Sequence, residues 1–435
     1  MHDGYTVKNG IAWHRETDDT RRPTAHVGTA DGSTTAELLA AIEANLDGDG
    51  EAGTGYTYEF NIADHLLHES DSLGYLTLSL PVTTLFKGRL LLREMRAWDH
   101  VGFVEFQQTY LHPVTLLDGR EYGTAIDVSG VLTENTPDDP RASEQYGPQQ
   151  MRAYEAQERL SDADTEATVV VIDSGIDPDH ENLREQIPAT AGEDFQDGTG
   201  GDTDPTYPDV RGGDHGVHVS GTAAATVGNG IGTAGVAGLP NVTVQAAKIF
   251  GANPRTLGQT VAEAIRWATD EGADAVNMSI GGTGRFGLPS KTVARAIEYA
   301  DDNGTVCVAS AGNAGADKVA FPARHPKVVG VGAVDSNRDV ARFSNRGDGV
   351  DVAAAGVRVL STLPGDDYGG KSGTSMSSPH VAGGIALGRL AAPDASAAEL
   401  RRTLRDTARS VEGAGPDAVG AGIPDLVEYV ETLRE

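Results

Sequence analysis

The chain has 435 residues and carries 64 Asp and Glu against 34 Lys and Arg, a net charge of −30 with His neutral. Only 7 of those cations are Lys, against 27 Arg. Such a surface repels nucleic acid and anionic membranes, which excludes both as partners, and the length allows one large core with an appendage.

One cysteine, Cys307, rules out an internal disulfide. It sits in Gly304–Ala309, an apolar strand pattern, as a small core side chain. No apolar run reaches the roughly 18 residues that a membrane span needs. Met1–Lys8 holds no apolar leader, and Arg21-Arg22 is followed by Pro-Thr-Ala-His and no hydrophobic stretch. As written the chain reads as cytoplasmic; a misplaced start codon would hide a leader and make it secreted.

Residues 1–135 read as a small α+β domain. Thr34-x-x-Glu37 is a capping box that opens an amphipathic helix with Leu38, Leu39, Ile42 and Leu46 on one face. Alternating segments follow: Tyr56, Tyr58, Phe60 and Ile62, then Leu76, Leu78 and Leu80, then Leu90 and Leu92. Asp118-Gly119 is a hairpin-type turn. Asp47–Glu51 lacks the Gly and Glu that a calcium-binding EF-hand loop requires and reads as a turn. His65-Leu-Leu-His68-Glu69 is a scrambled zinc-type order with no catalytic constellation around it.

The polar, proline-bearing stretch Thr133–Arg141 reads as a solvated connection, with the linker at 136–141 and a second domain over 142–435. There, apolar runs without alternation (Thr168–Asp173, Val242–Ile249, Ala273–Met278, Gly304–Ala309, Val328–Val334) alternate with helical patterns at Leu257–Glu271 and Ser290–Asp302. Strands buried on both faces mean a parallel sheet flanked by helices, an α/β fold. Gly192–Asp214 carries seven carboxylates and reads as a solvated surface loop, with a calcium role as its alternative.

Four strings carry chemistry. Val170–Gly175 ends an apolar strand on Asp173; His215–Thr222 opens on an imidazole; Gly373–His380 places Ser375 where a helix begins; and Ser310–Gly315 puts Asn313 in a Gly-rich turn after a buried strand. A serine hydroxyl needs a base within hydrogen-bond reach and a third group to orient that base. Ser375 is the candidate nucleophile at a helix N-terminus, where the dipole favours developing negative charge. Pro379 is tolerated in the first turn. His215 is the candidate base and Asp173 its orienting carboxylate; His218, one turn on, reads as packing beneath the site.

In the order Asp…His…Ser these strings resemble the subtilases, serine peptidases of the subtilisin superfamily, over about residues 141 to 433. The resemblance implies a subtilisin-like parallel sheet and a serine endopeptidase acting on proteins or peptides as a monomer. It implies Asn313 as the side-chain donor to the oxyanion, paired with the Ser375 N–H. Asn277–Gly282 is similar to the family's substrate strand, so Ser279, Ile280 and Gly281 would pair with an extended peptide, and Ser310, Ala311 and Gly312 would wall the first specificity pocket. No cofactor is needed for the chemistry. A structural calcium is implied at Val227, Asn229, Ile231, Thr233 and Asn182, with Ala142 where the family often has glutamine and neutral Asn182 where it often has aspartate. Charge spread along a lysine-poor chain is similar to halophilic archaeal members. The alternative reading is a catalytically silent peptide-binding protein on the same fold. Residues 1–140 are either a pro-domain or a permanent accessory domain.

Overall fold

The computed structural model describes residues 5–8, 11–15, 21–30, 32–46, 48–52, 56–60, 66–80, 91–92, 95–96, 100–106, 109–111, 136–196, 204–210, 212–251, 255–282 and 289–435. The N-terminal part comprises β1 (Tyr5–Lys8), β2 (Ile11–Arg15), β3 (Arg21–Thr29), α1 (Thr35–Leu46), β4 (Gly48–Ala52), β5 (Tyr56–Phe60), β6 (Leu66–Ser70), β7 (Tyr75–Ser79), β8 (Val101–Phe106) and β9 (Thr109–Leu111). Its main sheet runs β1-β2-β3-β7-β6 with β8 added on β3, all antiparallel. The capping box forms: the Thr34 N–H donates to Glu37 at 2.9 Å and the Glu37 N–H to the Thr34 hydroxyl at 3.2 Å. Leu38 and Ile42 then bury against Val27, Leu76 and Leu78, giving this part a core of its own.

Two readings of this region change. Residues 48–52, read as part of a turn, are β4, which pairs antiparallel with β5. Leu92, read as strand, has helical backbone. His68, from the scrambled zinc string that is expected to carry no catalytic constellation, lies 3.2 Å from Glu263. The Asp118-Gly119 turn, Ile62, His65, Leu90 and residues 133–135 lie outside the described residues.

The second part opens with α2 (Tyr146–Gln150) and α3 (Ala153–Arg159), followed by β10 (Ala167–Asp173), β11 (Gly192–Asp194), α4 (His215–Ala224), β12 (Val242–Lys248), β13 (Arg255–Leu257), α5 (Gly258–Asp270), β14 (Ala275–Met278) and β15 (Gly281–Gly282). Then come α6 (Lys291–Asp302), β16 (Val306–Ser310), β17 (Val328–Val334), β18 (Val352–Ala355), β19 (Val359–Leu363), β20 (Asp367–Lys371), α7 (Thr374–Ala391), α8 (Ala397–Asp406), α9 (Pro416–Val419) and α10 (Leu426–Arg434). The five strands read from apolar runs all form, in a seven-stranded sheet ordered β11-β12-β10-β14-β16-β17-β18 with every pair parallel. Cys307 is buried in β16, and burial pushes its thiol up to about 12. The acidic loop begins as edge strand β11, where Asp194 pairs with Lys248 at 2.9 Å; residues 197–203 and 211 lie outside the described residues.

Within the expected linker at 136–141, Asp138 and Pro140 are exposed but Asp139 is not solvated. Asp139 is 4% exposed, and its carboxylate accepts the N–H groups of Gly228, Asn229 and Gly230 at 2.8–3.0 Å. Three converging amides stabilise a buried carboxylate that polarity alone would send to water. Among the described residues no helix is long and apolar enough to cross a membrane.

The two parts share an interface built on α5 and α6. Leu73, Tyr75 and Phe103 join the apolar cluster of Val261, Ile265, Val293 and Ile297. Glu105 of β8 lies at the start of α6, where its carboxylate accepts the N–H groups of Lys291 and Thr292 at 2.8 and 3.0 Å and the Ser290 hydroxyl at 3.0 Å. The helix dipole favours a carboxylate there, while burial raises its pKa above the usual carboxylate range. Glu263 of α5 meets His68 at 3.2 Å, the Tyr75 hydroxyl at 3.0 Å and Arg266 at 2.9 Å. Burial alone would raise its pKa; the bonds from His68 and Arg266 outweigh that and hold it at about 2. Glu263 therefore stabilises docking fully above the ordinary glutamate range, and the contribution fades as pH falls through about 2. Glu263→Ala should loosen the interface by about 3 kcal/mol, since it leaves buried partners unpaired. Limited proteolysis at neutral pH reads this as faster cutting within residues 21–106, and unchanged protection would contradict it.

Candidate active site

Asp173 is the last residue of β10, a strand with neighbours on both sides, and its side chain is fully buried. His215 opens α4 and presents Nδ1 to both carboxylate oxygens at 2.9 Å. Ser174 holds the two together: its N–H donates to Asp173 at 2.7 Å, its hydroxyl donates to the Gly213 carbonyl at 2.8 Å, and that hydroxyl accepts the Gly216 N–H at 2.9 Å. A carboxylate on Nδ1 fixes the tautomer that makes Nε2 the proton acceptor. Beside it, Asp214 pairs with Lys371 at 2.7 Å.

His218 is fully buried, with Nε2 2.9 Å from the Val359 carbonyl and 3.1 Å from that of Gly369. Burial first, then the nearby charges of Lys371 and His215, hold its pKa well below the ordinary range, so it is a neutral packing residue. That matches its reading from sequence.

Ser375 is the second residue of α7, which is buried from Thr374 to Leu390 and packs across β10, β14, β16 and β17 and against α4. Pro379 is not in the first turn but is the sixth residue of α7, in its second turn, where its missing N–H leaves the Ser375 carbonyl to another donor. The Ser375 carbonyl accepts the Ser279 hydroxyl at 2.8 Å; the Ser279 hydroxyl accepts from Asn277 Nδ2 at 3.0 Å, and Asn277 Oδ1 accepts the Ser378 hydroxyl at 2.5 Å. This relay ties the end of β14 to the start of α7. Asn313 follows β16. Its Oδ1 accepts both the N–H and the hydroxyl of Thr374 at 2.8 Å, which fixes the rotation of the amide. Asp173, the strand-end residues of β14 and β16, and the starts of α4 and α7 thus meet beyond the carboxyl edge of the sheet, where open α/β sheets place their ligands.

Of the expected substrate wall, Ser279 and Ile280 are buried, and the Ser310 hydroxyl donates to the Ile280 carbonyl at 3.4 Å. Within the chain itself, strand pairing runs through Gly281 and Gly282, of which Gly281 belongs to the expected substrate strand. The strand that pairs there belongs to the chain itself: β9 lies between β13 and β15, antiparallel to both, with Leu111 opposite Arg255 and Gly281 and Tyr110 opposite Thr256 and Gly282. Ala311 is fully buried, and Gly312, with φ +106, donates its N–H to the Thr374 hydroxyl at 3.1 Å.

In the expected calcium loop both asparagines bond to the protein. Asn182 Oδ1 accepts the Thr233 N–H at 2.9 Å and its Nδ2 donates to the Thr226 carbonyl at 3.1 Å; Asn229 Oδ1 accepts the Ile231 N–H at 2.9 Å. Gln145, three residues beyond Ala142, takes the Ala234 N–H at 2.7 Å. Of the side chains named for a cation, Asn182 and Asn229 turn their oxygens to N–H groups, the Thr233 hydroxyl donates to Asn182 Oδ1 at 3.2 Å, and Asn229 Nδ2 is buried without a partner among the described residues; no step of the chemistry runs through a cation. Among the described residues no group of three or more His, Cys, Asp or Glu is placed to hold a metal. Ser174, Asn277 and Thr374 were missed in the sequence; for Ser174 and Thr374 adjacency to Asp173 and Ser375 was the available signal.

Comparison with known proteins gives a consistent picture. A family model described as the subtilase family matches residues 164–422. The halolysin-like extracellular serine protease Nep of Natrialba magadii is 34% identical over 368 residues, 84% of this chain and 62% of that relative. The chain thus spans less than two thirds of that protein's length. Thermitase of Thermoactinomyces vulgaris is 36% identical over 64% of this chain and 94% of its own. A solved protease structure from Pseudoalteromonas arctica superposes with a TM-score of 0.60 at 32% identity, covering 68% of this chain and 99% of that one.

Proposed function

Because this chain belongs to the subtilase family, we propose that it is a serine endopeptidase whose acyl transfer runs through Asp173, His215, Ser375 and Asn313. The observation that carries the reading is the buried Asp173 carboxylate held 2.9 Å from His215 Nδ1. His215 Nε2 takes the Ser375 hydroxyl proton as the oxygen attacks the peptide carbonyl. Asp173 stabilises the imidazolium that forms. The carbonyl oxygen becomes an oxyanion and accepts hydrogen bonds from Asn313 Nδ2 and the Ser375 N–H. His215 then gives its proton to the leaving amine, and water repeats the sequence on the acyl-enzyme. All the groups this needs are present, which disfavours a silent peptide-binding protein. No cofactor enters the chemistry.

Ser375→Ala should abolish turnover with an unchanged melting temperature, since one small hydroxyl is removed from a helix start. Asn313→Ala should cost about 10²–10³ in kcat, the loss that follows removal of a side-chain oxyanion donor in a subtilisin. Hydrolysis of casein or a chromogenic peptide by Ser375→Ala at the wild-type rate would refute the assignment.

The N-terminal part fits the role of an occupant of its own enzyme's cleft. A substrate peptide would add a strand between β13 and β15, and β9 takes that place. The Glu105 and Glu263 contacts dock the body from which β9 extends. We therefore assign residues 1 to about 140 as an inhibitory pro-domain. Mass spectrometry of the active species should find them cleaved off and Ser375→Ala intact at full length. An active chain still carrying Met1 to Arg141 would make this a permanent accessory domain.

The charge of −30 points to a protein adapted to salt. Self-repulsion acts across a Debye length of about 30 Å at 0.01 M but only about 3 Å at 1 M. Activity and melting temperature should rise together into the molar KCl range; a melting temperature that is flat or falls would contradict this.

A further inference from the structure

Asn313 is held from the helix side by Thr374, but its loop has a second support. Asn345, in the turn after β17 and 6% exposed, makes four hydrogen bonds to the segment that contains Asn313. Its backbone N–H donates to the Gly312 carbonyl at 2.9 Å and its Nδ2 to the Ala311 carbonyl at 3.1 Å. Its Oδ1 accepts the N–H groups of Ala314 at 3.0 Å and Ala316 at 3.1 Å. The bonds straddle Asn313 on both sides in sequence. Asn345 is itself braced, since the Ser344 hydroxyl accepts the Ala333 N–H of β17 at 3.1 Å. Gly312 is fitted to it: its φ is +106, and a Cβ there would collide with Asn345 Nδ2.

We propose that Asn345 is a positioning residue for the oxyanion donor, setting where Asn313 Nδ2 lies relative to Ser375. This rests on the assignment of Asn313 and Ser375 above. Thr374 fixes the rotation of the Asn313 amide; Asn345 fixes the loop from which that amide projects. A donor acts only if it meets the oxygen at the transition state, and displacement by about 1 Å costs on the order of 10²-fold. The role also explains the residue type. An amide supplies one acceptor for two N–H groups and one donor for a carbonyl, and no other side chain of that length offers both at neutral pH.

The test compares wild type, Asn345→Ala and Asn345→Asp, each expressed as the full chain and activated in the same way, on a chromogenic peptide. Asn345→Ala should lower kcat by about 10²-fold with KM changed only a few-fold, the pattern of an interaction made in the transition state. Asn345→Asp is nearly isosteric and keeps the acceptor for Ala314 and Ala316, but as a carboxylate it sets an oxygen against the Ala311 carbonyl. Protonated, it donates there instead. The ratio of its kcat to that of wild type should therefore rise as pH falls. A kcat within twofold of wild type for Asn345→Ala, or a ratio for Asn345→Asp that stays flat near one, overturns the proposal. Should Asn345→Ala fail to fold, the Asn345→Asp ratio decides alone. Turnover surviving in Ser375→Ala would instead overturn the underlying assignment, so the two failures are told apart.

Discussion

A carboxylate with no solvent exposure sits at the end of a central strand, and the architecture around it exists on that condition. Asp173 can stay charged there because His215 Nδ1 and the Ser174 N–H take its oxygens. To bring them there, β10 must end between β12 and β14 while α4 begins at the same edge. The approach is close: a Cβ on Gly216 would strike the Gly175 carbonyl, and Gly175 itself has φ +109. Glycine at both positions is a steric requirement of the pair.

The opposite wall is built by rigid support. α7 is surrounded by strands and helices, so Ser375 has little freedom, and the Asn277–Ser279 relay pins its carbonyl. Asn313 lies between two clamps, Thr374 on the helix and Asn345 on the turn after β17. The proposed roles of Ser375 as nucleophile and Asn313 as oxyanion donor require their separation to hold to a fraction of an ångström, and hydrogen bonds between their elements supply that stiffness. The same logic reaches outward to Asp139, whose carboxylate ties the segment at 136–141 to the 228–230 turn.

What could be read from the sequence follows from how local each signal is. The apolar runs at β10, β12, β14, β16 and β17 need no partner to be recognised, because burial on both faces leaves no polar alternation. The Asp173, His215 and Ser375 strings carry their turns and helix starts within a few residues. The short strands β13 and β15 could not be seen. Gly281-Gly282 has no strand propensity and is a strand only because β9 pairs with it across the cleft. Gly48–Ala52 failed for the same reason, its Gly and Asp residues pointing to a turn until β5 is placed beside it. Asp139 looked solvated because nothing in Thr133–Arg141 indicates three amides waiting about ninety residues away. Asn345 is thirty-one residues from Ala314 and follows an ordinary strand, so its bonds are visible only in three dimensions.

The central claim is that Ser375, activated by His215 and Asp173, is the nucleophile of this member of the subtilase family. Covalent labelling of the activated protein with a fluorophosphonate tests it most directly, with the adduct mapped by peptide mass spectrometry. One adduct is expected, on the peptide that holds Ser375, formed at a rate that collapses in His215→Ala. An adduct on another residue, or undiminished labelling without His215, would contradict it.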